Sequence, residues 1–337
     1  MTLIALHVDG GKGVGLGHVS RCLSLAAALE RAGMETVFLI APDSGLDSYI
    51  SEKDHRFVPC DTDPHSLNQW CVEGGAEVLI VDSYRADLEA LAHLIPLQSY
   101  LICFDDKADR ASPVDMVING SPAAEQMDYG KLGARHSFLG PKYQIVRDDI
   151  APDDAAIFND PPRRLLVTIG GDDPLGISDQ LHHFICDNVC TKWPDLDIDF
   201  VAGPFASSMS GRGDRPVNLS CHVNPDNFPE LLSRTDIAIS AGGQTLFELA
   251  RCGVSIIAFA TGEDQLPNLG ILERSATIRY IGWAGKGDWL DSLDRALDDL
   301  MTDAIERNRL SVAGRSLIDG NGATCIADAI KDMIIKS

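Results

Sequence analysis

The sequence predicts an α/β protein with two doubly wound parallel sheets, one in each half of the chain. Short apolar segments almost free of polar residues, such as residues 77–82, indicate strands that are buried on both faces, as in parallel sheets. Segments with helical spacing alternate with these strands. The alternation stops near residues 148–162 and then restarts, which indicates two domains.

In the first half, a strand at residues 3–8 leads into a helix with one buried face. The spacing of five apolar residues predicts that face: Val19, Cys22, Leu23, Ala26 and Leu29. Further strands are predicted at 36–40, 57–58, 77–82, 100–104 and 116–119, and further helices at 43–53, 64–74 and 86–94. This order predicts a Rossmann-like domain over residues 1–150.

The same order returns in the second half. Strands are predicted at 164–169, 198–202, 218–222, 237–239 and 255–259. Helices are predicted at 178–190, 228–232, 246–250 and 265–274, with two or three more after Trp289. The acidic, proline-bearing stretch between the halves is typical of a domain boundary. We therefore expect a second Rossmann-like domain over residues 160–337, facing the first across a ligand-binding cleft.

Composition excludes several classes of function. The chain has 337 residues, with 50 acidic and 28 basic side chains and a formal net charge of −22. Phosphates would be repelled, so nucleic acid and anionic membranes are not expected as partners. No apolar run is long enough to cross a bilayer and no basic leader precedes the first strand, so a cytoplasmic protein without stable membrane association is expected. The nine cysteines are scattered among apolar segments, which favours reduced thiols and no metal or cofactor.

A glycine-rich turn between the first strand and the first helix is the first candidate site. It runs from Asp9 to Arg21 and has glycine at 11, 13, 15 and 17, an alternation unlike the dinucleotide fingerprint. No acidic residue ends the second strand, so nicotinamide binding is not expected. His18 stands where the helix begins, and the helix dipole there favours a neutral imidazole that can accept a proton. The alternative is a histidine that only caps or packs.

A second candidate site lies in the second half, where a strand ends at residues 240–245 and a helix begins. Small residues there permit close backbone approach and the first helical amides are free, which predicts an anion site. Glu248 lies one helical turn further and would accept ribose hydroxyls, or would be an ordinary solvated residue. Gly170-Gly171-Asp172-Asp173 forms a third small-residue turn.

Polar residues also follow two strands of the first half. Tyr84 comes just after the strand that ends at Asp82, and it would either line a ligand pocket or pack at an interface. Asp105 and Asp106 follow the next strand. Paired carboxylates can do acid–base work, although they more often cap loops or helices.

Seven motifs taken together resemble a known family. They are residues 9–23, 81–84, 104–110, 139–143 with Arg147, 168–174, 239–248 and 319–323. In this order they resemble the UDP-2,4-diacetamido-2,4,6-trideoxy-β-L-altropyranose hydrolases of pseudaminic acid biosynthesis and their spore-coat-polysaccharide relatives. The resemblance covers nearly the whole chain.

The resemblance implies a GT-B fold and a sugar–diphosphate bond cleaved by water, with inversion at the anomeric carbon and without a metal. His18 would orient and deprotonate the water, with Tyr84 and Asp9 as the other catalytic residues. A UDP-sugar would be bound by a larger set, namely Gly15, Gly17, Arg21, Gly170, Gly171, Asp173, Ser240, Ala241, Gly242, Gly243, Gln244, Thr245, Glu248 and Gln265.

Two residues depart from the family pattern. His7 stands where arginine is usual, and Asp264 stands where asparagine is usual. They point to a related sugar or a divergent activity. Two alternatives therefore stay open: a GT-B glycosyltransferase that uses a UDP-sugar donor, and a nucleotide-sugar-binding protein without turnover. The oligomeric state is left open by the sequence.

Overall fold

The computed structural model describes residues 2–11, 14–96, 99–150, 159–171, 173, 175–203 and 216–335. Several residues of the motifs above lie outside these ranges, namely Lys12 and Gly13 of the first turn, Asp172 and Pro174 of the third, and residues 151–158 of the expected boundary.

The first unit of the chain is built on a seven-stranded sheet in the order β3-β2-β1-β4-β5-β6-β7. Each neighbouring pair of these strands is parallel, as the nearly unbroken apolar runs predict. The strands are β1 (Leu3–Val8), β2 (Glu35–Ile40), β3 (Phe57–Pro59), β4 (Val78–Asp82), β5 (Tyr100–Phe104), β6 (Met116–Asn119) and β7 (His136–Leu139).

Two apolar clusters cover the two faces of this sheet. One holds the first helix and the last helix of the chain, and the other holds the helices that follow β3 and β4. The helices of this unit are α1 (Gly17–Arg31), α2 (Asp47–Ser51), α3 (Pro64–Gly74), α4 (Leu88–Leu94) and, from the end of the chain, α12 (Gly322–Ile335).

The second unit is built on a six-stranded parallel sheet in the order β10-β9-β8-β11-β12-β13. The strands are β8 (Arg164–Thr168), β9 (Asp197–Ala202), β10 (Leu219–Val223), β11 (Ile237–Ala241), β12 (Ser255–Ala260) and β13 (Ile278–Trp283). The helices are α5 (Ser178–Phe184), α6 (Cys190–Lys192), α7 (Phe228–Ser233), α8 (Gln244–Cys252), α9 (Leu266–Arg274), α10 (Trp289–Thr302) and α11 (Ala304–Leu317). The prediction of two Rossmann-like domains is confirmed.

Both sheets reverse their strand order at the strand that opens the unit. In the first sheet the chain builds outward from β1 to β3 and then returns to place β4 on the other side of β1. In the second sheet β8 is the corresponding strand, and β11 is its second neighbour. Ligands of open α/β sheets bind beside the carboxyl ends of the strands at such a point. The residues that follow β1, β4, β8 and β11 are therefore the candidates for contact with a ligand.

The structure differs from the expected domain limits at the end of the chain. Residues 148–319 form one compact unit, whereas residues 320–337 belong with residues 1–147. Helix α12 packs against α1, and Ile326 and Ile330 are part of the first apolar cluster. A Cβ on Gly322 would lie 2.2 Å from the carbonyl oxygen of Gln144, so the helix can begin here only with glycine. The sequence expectation had placed this helix in the second domain.

We expect Ile330→Ala to destabilise the first unit by roughly 2–5 kcal/mol, because it leaves a cavity under α12. Ile330 is fully buried, whereas Ile335 of the same helix is 72% exposed and provides the matched control. Urea denaturation of the full-length variants measures the effect. Equal destabilisation by Ile330→Ala and Ile335→Ala would contradict the packing of α12 against α1.

Candidate active site

The first glycine-rich turn brings α1 to the carboxyl ends of β1 and β4. Gly11 and Gly15 have φ angles of +105° and +84°, which favour glycine, and they form an isolated antiparallel bridge. A Cβ on Gly10 would lie 2.5 Å from Cγ2 of Val19, so a larger residue there would push α1 away from β1. The glycines therefore allow α1 to begin directly above the sheet edge.

His18 is the second residue of α1 and contacts the last residue of β4. Its Nδ1 lies 2.6 Å from Oδ1 of Asp82, and its side chain is 12% exposed. Asp82 as a carboxylate can only accept a hydrogen bond, so Nδ1 is the donor of this pair; in a neutral imidazole bonded in this way, the lone pair is on Nε2. No side-chain hydrogen bond caps this helix. The arrangement is that of a histidine base oriented by a carboxylate.

Arg21 lies one helical turn after His18 and bridges two carboxylates. Its Nε and Nη2 donate to the two oxygens of Asp82, both at 2.6 Å. Its Nη1 and Nη2 donate to the two oxygens of Asp106 at 3.0 and 2.9 Å. The guanidinium also lies 4.7 Å from the centroid of the Phe104 ring. Arg21 was expected to bind substrate, whereas in the structure its donors are engaged by protein carboxylates.

The electrostatics of this network are governed by burial and by ion pairing. Burial would raise the pKa of Asp82, but the charge of Arg21 and the neighbouring His18 outweigh burial and hold this pKa well below its usual range. Burial would lower the pKa of Arg21, but Asp106 and Asp82 outweigh it and raise that pKa. Asp82 therefore remains a carboxylate, as a partner of a histidine base must.

Tyr84 forms one wall of the site. Its hydroxyl donates to Oδ2 of Asp106 at 2.8 Å, and its ring meets His18 edge to face at 4.9 Å. Nζ of Lys107 lies 4.3 Å from the ring centroid, and Tyr84 is 41% exposed. Burial of the hydroxyl end and the charge of Asp106 raise the pKa of Tyr84. The hydroxyl keeps its proton, so Tyr84 can shape a pocket but does not act as a base.

Asp9 and Asp105 have separate structural partners. Asp9 accepts hydrogen bonds from Oγ of Ser83 at 2.5 Å and from Nε of Arg85 at 3.2 Å. Asp105 accepts from the backbone amides of Lys107 and Ala108. Asp105 is thus a loop cap, and only the second aspartate of the predicted pair belongs to the Arg21 network.

Two further residues of the first unit fix the surroundings of the site. Arg110 donates to the carbonyl oxygens of Ser83, Tyr84 and Ala86, and so holds the segment after β4 in place. His7 is a buried residue of β1, with Nδ1 bonded to the carbonyl of Leu39 in β2. Burial lowers the pKa of His7, and its Nε2 has no hydrogen-bond partner among the described residues.

The second candidate site is the turn between β11 and α8 in the second unit. No side chain caps α8, which begins at Gln244. Gly242 donates its amide to the carbonyl of Phe259, and a Cβ there would lie 2.9 Å from Leu269 Cδ1. Ser240 is buried, and its hydroxyl donates to the carbonyl of Ala241. Gly243, the N-cap residue of α8, has no side chain that could accept from the first helical amides, so this helix N-terminus is suited to an anion.

Two polar residues lie beside this turn: Glu248, which is buried, and Gln265, whose side chain is hydrogen-bonded to Thr261. Glu248 is 3% exposed, so the alternative of a solvated helix residue is wrong. Oε1 of Gln265 accepts from the amide of Thr261 at 2.9 Å, and its Nε2 donates to Oγ1 of the same residue at 3.0 Å. Asp264, one of the two departures from the family pattern, is exposed beside it.

The third predicted turn follows β8. Gly170 has a φ angle of +98° and donates its amide to Oγ1 of Thr168 at 3.2 Å. Asp173 accepts from the amides of Ile177 and Ser178 at 3.0 and 2.8 Å, so it caps the start of α5. A Cβ on Gly203 would lie 2.3 Å from the carbonyl oxygen of Gly170, and β9 can end this close to Gly170 and Gly171 only with glycine.

The predicted residues therefore form two groups, one in each unit. His18, Arg21 and Tyr84 lie together in the first unit, with Asp9 held apart from them by Ser83 and Arg85, and residues 240–245 with Glu248 and Gln265 lie together in the second. The sequence indicated Asp106 only as half of a carboxylate pair with Asp105, and it assigned no role to Asp82. The signal available for both was their position at or just after the ends of the neighbouring strands β4 and β5, where ligands of open α/β sheets bind.

No group of histidine, cysteine and acidic side chains within the described ranges could hold a metal ion. Among the same residues, no helix is long and apolar enough to cross a membrane.

Comparison with known proteins gives the fold and weak sequence relatives. No protein-family model matches the chain. The chain is 23% identical over 355 aligned positions to the spore coat polysaccharide biosynthesis protein SpsG of Bacillus subtilis, covering 98% of each. It is 24% identical over 277 residues to the uncharacterized protein MJ1062 of Methanocaldococcus jannaschii, covering 78% of this chain. It spans about half the length of that relative, 56%.

Solved structures match over nearly the whole chain. The glycotransferase of kitacinnamycin superposes with a TM-score of 0.73 at 17% identity, over 99% of both chains. The fold is GT-B. The UDP complex of MnaA from S. aureus superposes with a TM-score of 0.67 at 12% identity, over 98% of this chain and 96% of that one. The expected GT-B fold is thus confirmed, and the weak similarity to SpsG agrees with the spore-coat part of the resemblance.

The low pKa of Asp82 predicts a pH-dependent effect of Asp82→Asn. The ionised carboxylate stabilises the fold above the pKa of unfolded aspartate, about 3.9, and this contribution is lost as the pH falls through the lower folded pKa. We expect the substitution to cost on the order of 3 kcal/mol at pH 7, with a smaller difference from wild type below about pH 4.

Urea denaturation between pH 3 and pH 7 measures this difference. Asp128→Asn is the control, because Asp128 pairs with Lys131 on the surface and its loss is expected to matter little at any pH. A destabilisation by Asp82→Asn that stays constant from pH 7 to pH 3 would contradict the conclusion that the fold holds the pKa of Asp82 below its usual range.

Proposed function

We propose that the protein hydrolyses a UDP-activated acetamido-deoxy sugar to UDP and the free sugar. The observation that carries the proposal is the His18–Asp82 pair, which leaves Nε2 of a partly exposed imidazole able to accept a proton. The motif resemblance and the weak similarity to SpsG support a sugar nucleotide as the substrate. They favour UDP-2,4-diacetamido-2,4,6-trideoxy-β-L-altropyranose or a close relative, as in pseudaminic acid biosynthesis.

In the proposed reaction, Nε2 of His18 takes a proton from water as the water oxygen attacks the anomeric carbon. The bond between that carbon and the diphosphate oxygen breaks, and its electron pair leaves with UDP. Attack opposite the leaving group inverts the anomeric centre. UDP is a stable anion, so no strong general acid is required. Asp82 stabilises the imidazolium that forms.

We assign UDP binding to the second unit. The uncapped amides at the start of α8 would stabilise the negative charge on the diphosphate. Glu248, buried one turn further along α8, would accept hydrogen bonds from the ribose hydroxyls. Tyr84 and the small residues of the first turn, with Asp9 behind them, would surround the sugar. Catalysis of this kind uses no metal or cofactor.

The second candidate function is a glycosyltransferase that uses the same kind of donor. Its support is the structural similarity to the glycotransferase of kitacinnamycin, which extends over 99% of both chains. In that case the hydroxyl of an acceptor would replace water as the group that His18 deprotonates. The two functions differ in whether UDP is released when no acceptor is present.

Incubation of the protein with candidate UDP-sugars and no acceptor tests the proposal. We expect UDP and free sugar in equal amounts, with the label on the sugar when the reaction is run in ¹⁸O water. Release of UDP only after an acceptor is added would support the transferase instead. Label on the phosphate would mean attack at phosphorus and would overturn the mechanism.

Two variants separate chemistry from binding. We expect His18→Gln to lower kcat by at least roughly 100-fold, as loss of a general base does, with UDP affinity largely unchanged. We expect Glu248→Gln to weaken UDP binding about tenfold, because charge-assisted hydrogen bonds to the ribose are lost.

Calorimetry with UDP and steady-state assays measure the two effects. Glu230→Gln, an exposed glutamate of the same unit, is the control for Glu248. Near-normal turnover in His18→Gln would refute the role given to this residue. Unchanged UDP affinity in Glu248→Gln would refute the assignment of the ribose site.

A further inference from the structure

Three formal charges surround the imidazole of His18 in a fixed arrangement. Asp82 bonds to Nδ1 at 2.6 Å, and Arg21 bonds to both oxygens of Asp82. Arg21 also bonds to both oxygens of Asp106, which in turn accepts the hydroxyl of Tyr84. The guanidinium of Arg21 thus bonds both to the partner of His18, which is Asp82, and to the partner of Tyr84, which is Asp106.

Arg21 itself lies against His18. Its Nη2 is 3.2 Å from Nδ1 of His18. Both nitrogens carry protons that are donated to Asp82, so this short distance is a contact between two donors and not a hydrogen bond between them. A positive charge so close opposes protonation of the imidazole, whereas Asp82 and Asp106 favour it.

We propose that Arg21 is a positioning residue whose charge, fixed between Asp82 and Asp106, opposes protonation of His18 and so favours the form in which Nε2 can accept a proton. The identity of that proton donor, a water molecule, rests on the proposed function. The effect of Arg21 on His18 does not, because it can be measured without turnover.

The charge of Arg21 acts on His18 because the guanidinium cannot leave. Arg21 is mostly buried, it stacks on Phe104, and its planar fork matches the two carboxylates, each bound at two oxygens. Lysine would supply the charge but could not span both carboxylates in this way. The shape of the guanidinium is thus needed to bond to both carboxylates, whereas its positive charge is what acts on His18. Substitution by lysine keeps the charge and removes the shape, and substitution by methionine removes both.

The charged and titratable groups around this network come from four parts of the first unit. They are Arg21 on α1; Asp82, Tyr84 and Arg85 at and after the end of β4; Asp106 and Lys107 after β5; and His7 in β1 with Asp9 just after it. Arg21 and Asp106 can each be changed in charge while the imidazole ring keeps its contacts with Asp82 and with Tyr84. Since the two residues carry opposite charges, their removal is expected to shift the His18 titration in opposite directions.

NMR titration of the histidine side chains in the full-length protein tests the proposal, with His18→Gln used to assign the His18 signal. In Arg21→Met we expect the midpoint of the His18 titration to rise by roughly one pH unit or more, because two carboxylates are left without the cation. In Asp106→Asn we expect it to fall, because one negative charge is removed. In Arg21→Lys we expect it to stay close to that of the wild type.

If Arg21 only held the structure together, the midpoint of the His18 titration would not rise in Arg21→Met and fall in Asp106→Asn. Arg21→Met leaves Asp82 and Asp106 without their shared cation and is expected to be unstable. If it does not fold, the double variant Arg21→Met/Asp106→Asn replaces it; its midpoint is expected to lie above that of Asp106→Asn, and equal midpoints in the two would overturn the proposal. An unchanged midpoint in Asp106→Asn, or a midpoint in Arg21→Lys that rises as far as expected for Arg21→Met, would overturn the proposal.

Activity adds a separate readout. If the protein is a hydrolase, the acid limb of log kcat/KM against pH should move in parallel with the His18 midpoint in each variant. Midpoints that shift as expected in a protein without hydrolase activity would refute the proposed function and leave the role of Arg21 standing. Hydrolysis by a protein whose His18 midpoints do not move in the variants would support the proposed function and refute the role of Arg21.

Discussion

A carboxylate that is almost completely removed from water persists only where positive charge and hydrogen-bond donors surround it. Asp82 is such a group, at 1% exposure, and its oxygens are met by Arg21 and His18 from a single helix. For both side chains to reach it, α1 must begin close above β1 and β4, which explains the glycines of the first turn. The position of the proposed base thus follows from the burial of its partner.

The central part of both sheets could be predicted from the sequence, because strands buried on both faces are nearly continuous apolar runs. Two edge strands, β7 and β13, were not predicted. Only one side of each is paired, and residues such as His136 and Arg279 interrupt their apolar character. The sequence also could not indicate that α12 packs on α1, since an amphipathic helix shows which face is buried but not against which partner.

The candidate site was predictable by residue type and not by pairing. Acidic residues at the ends of β4 and β5 were visible, but only the structure shows that Asp106 joins Arg21 while its neighbour Asp105 caps a loop. Such pairings cannot be read from the sequence, because a long arginine side chain can reach several carboxylates and the packing of the folded protein determines which of them it bonds to. The spacing of residues on α8 did not determine whether Glu248 lies on the buried or on the solvent face of the helix. In the structure it is buried in the second unit.

The return of α12 to the first unit has a consequence for how the chain is made. During synthesis, α12 is made only after the whole of the second unit, residues 148–319. The apolar surface of α1 that packs against α12 therefore stays uncovered while the second unit is being made. An uncovered apolar surface on a partly made chain favours aggregation at that stage.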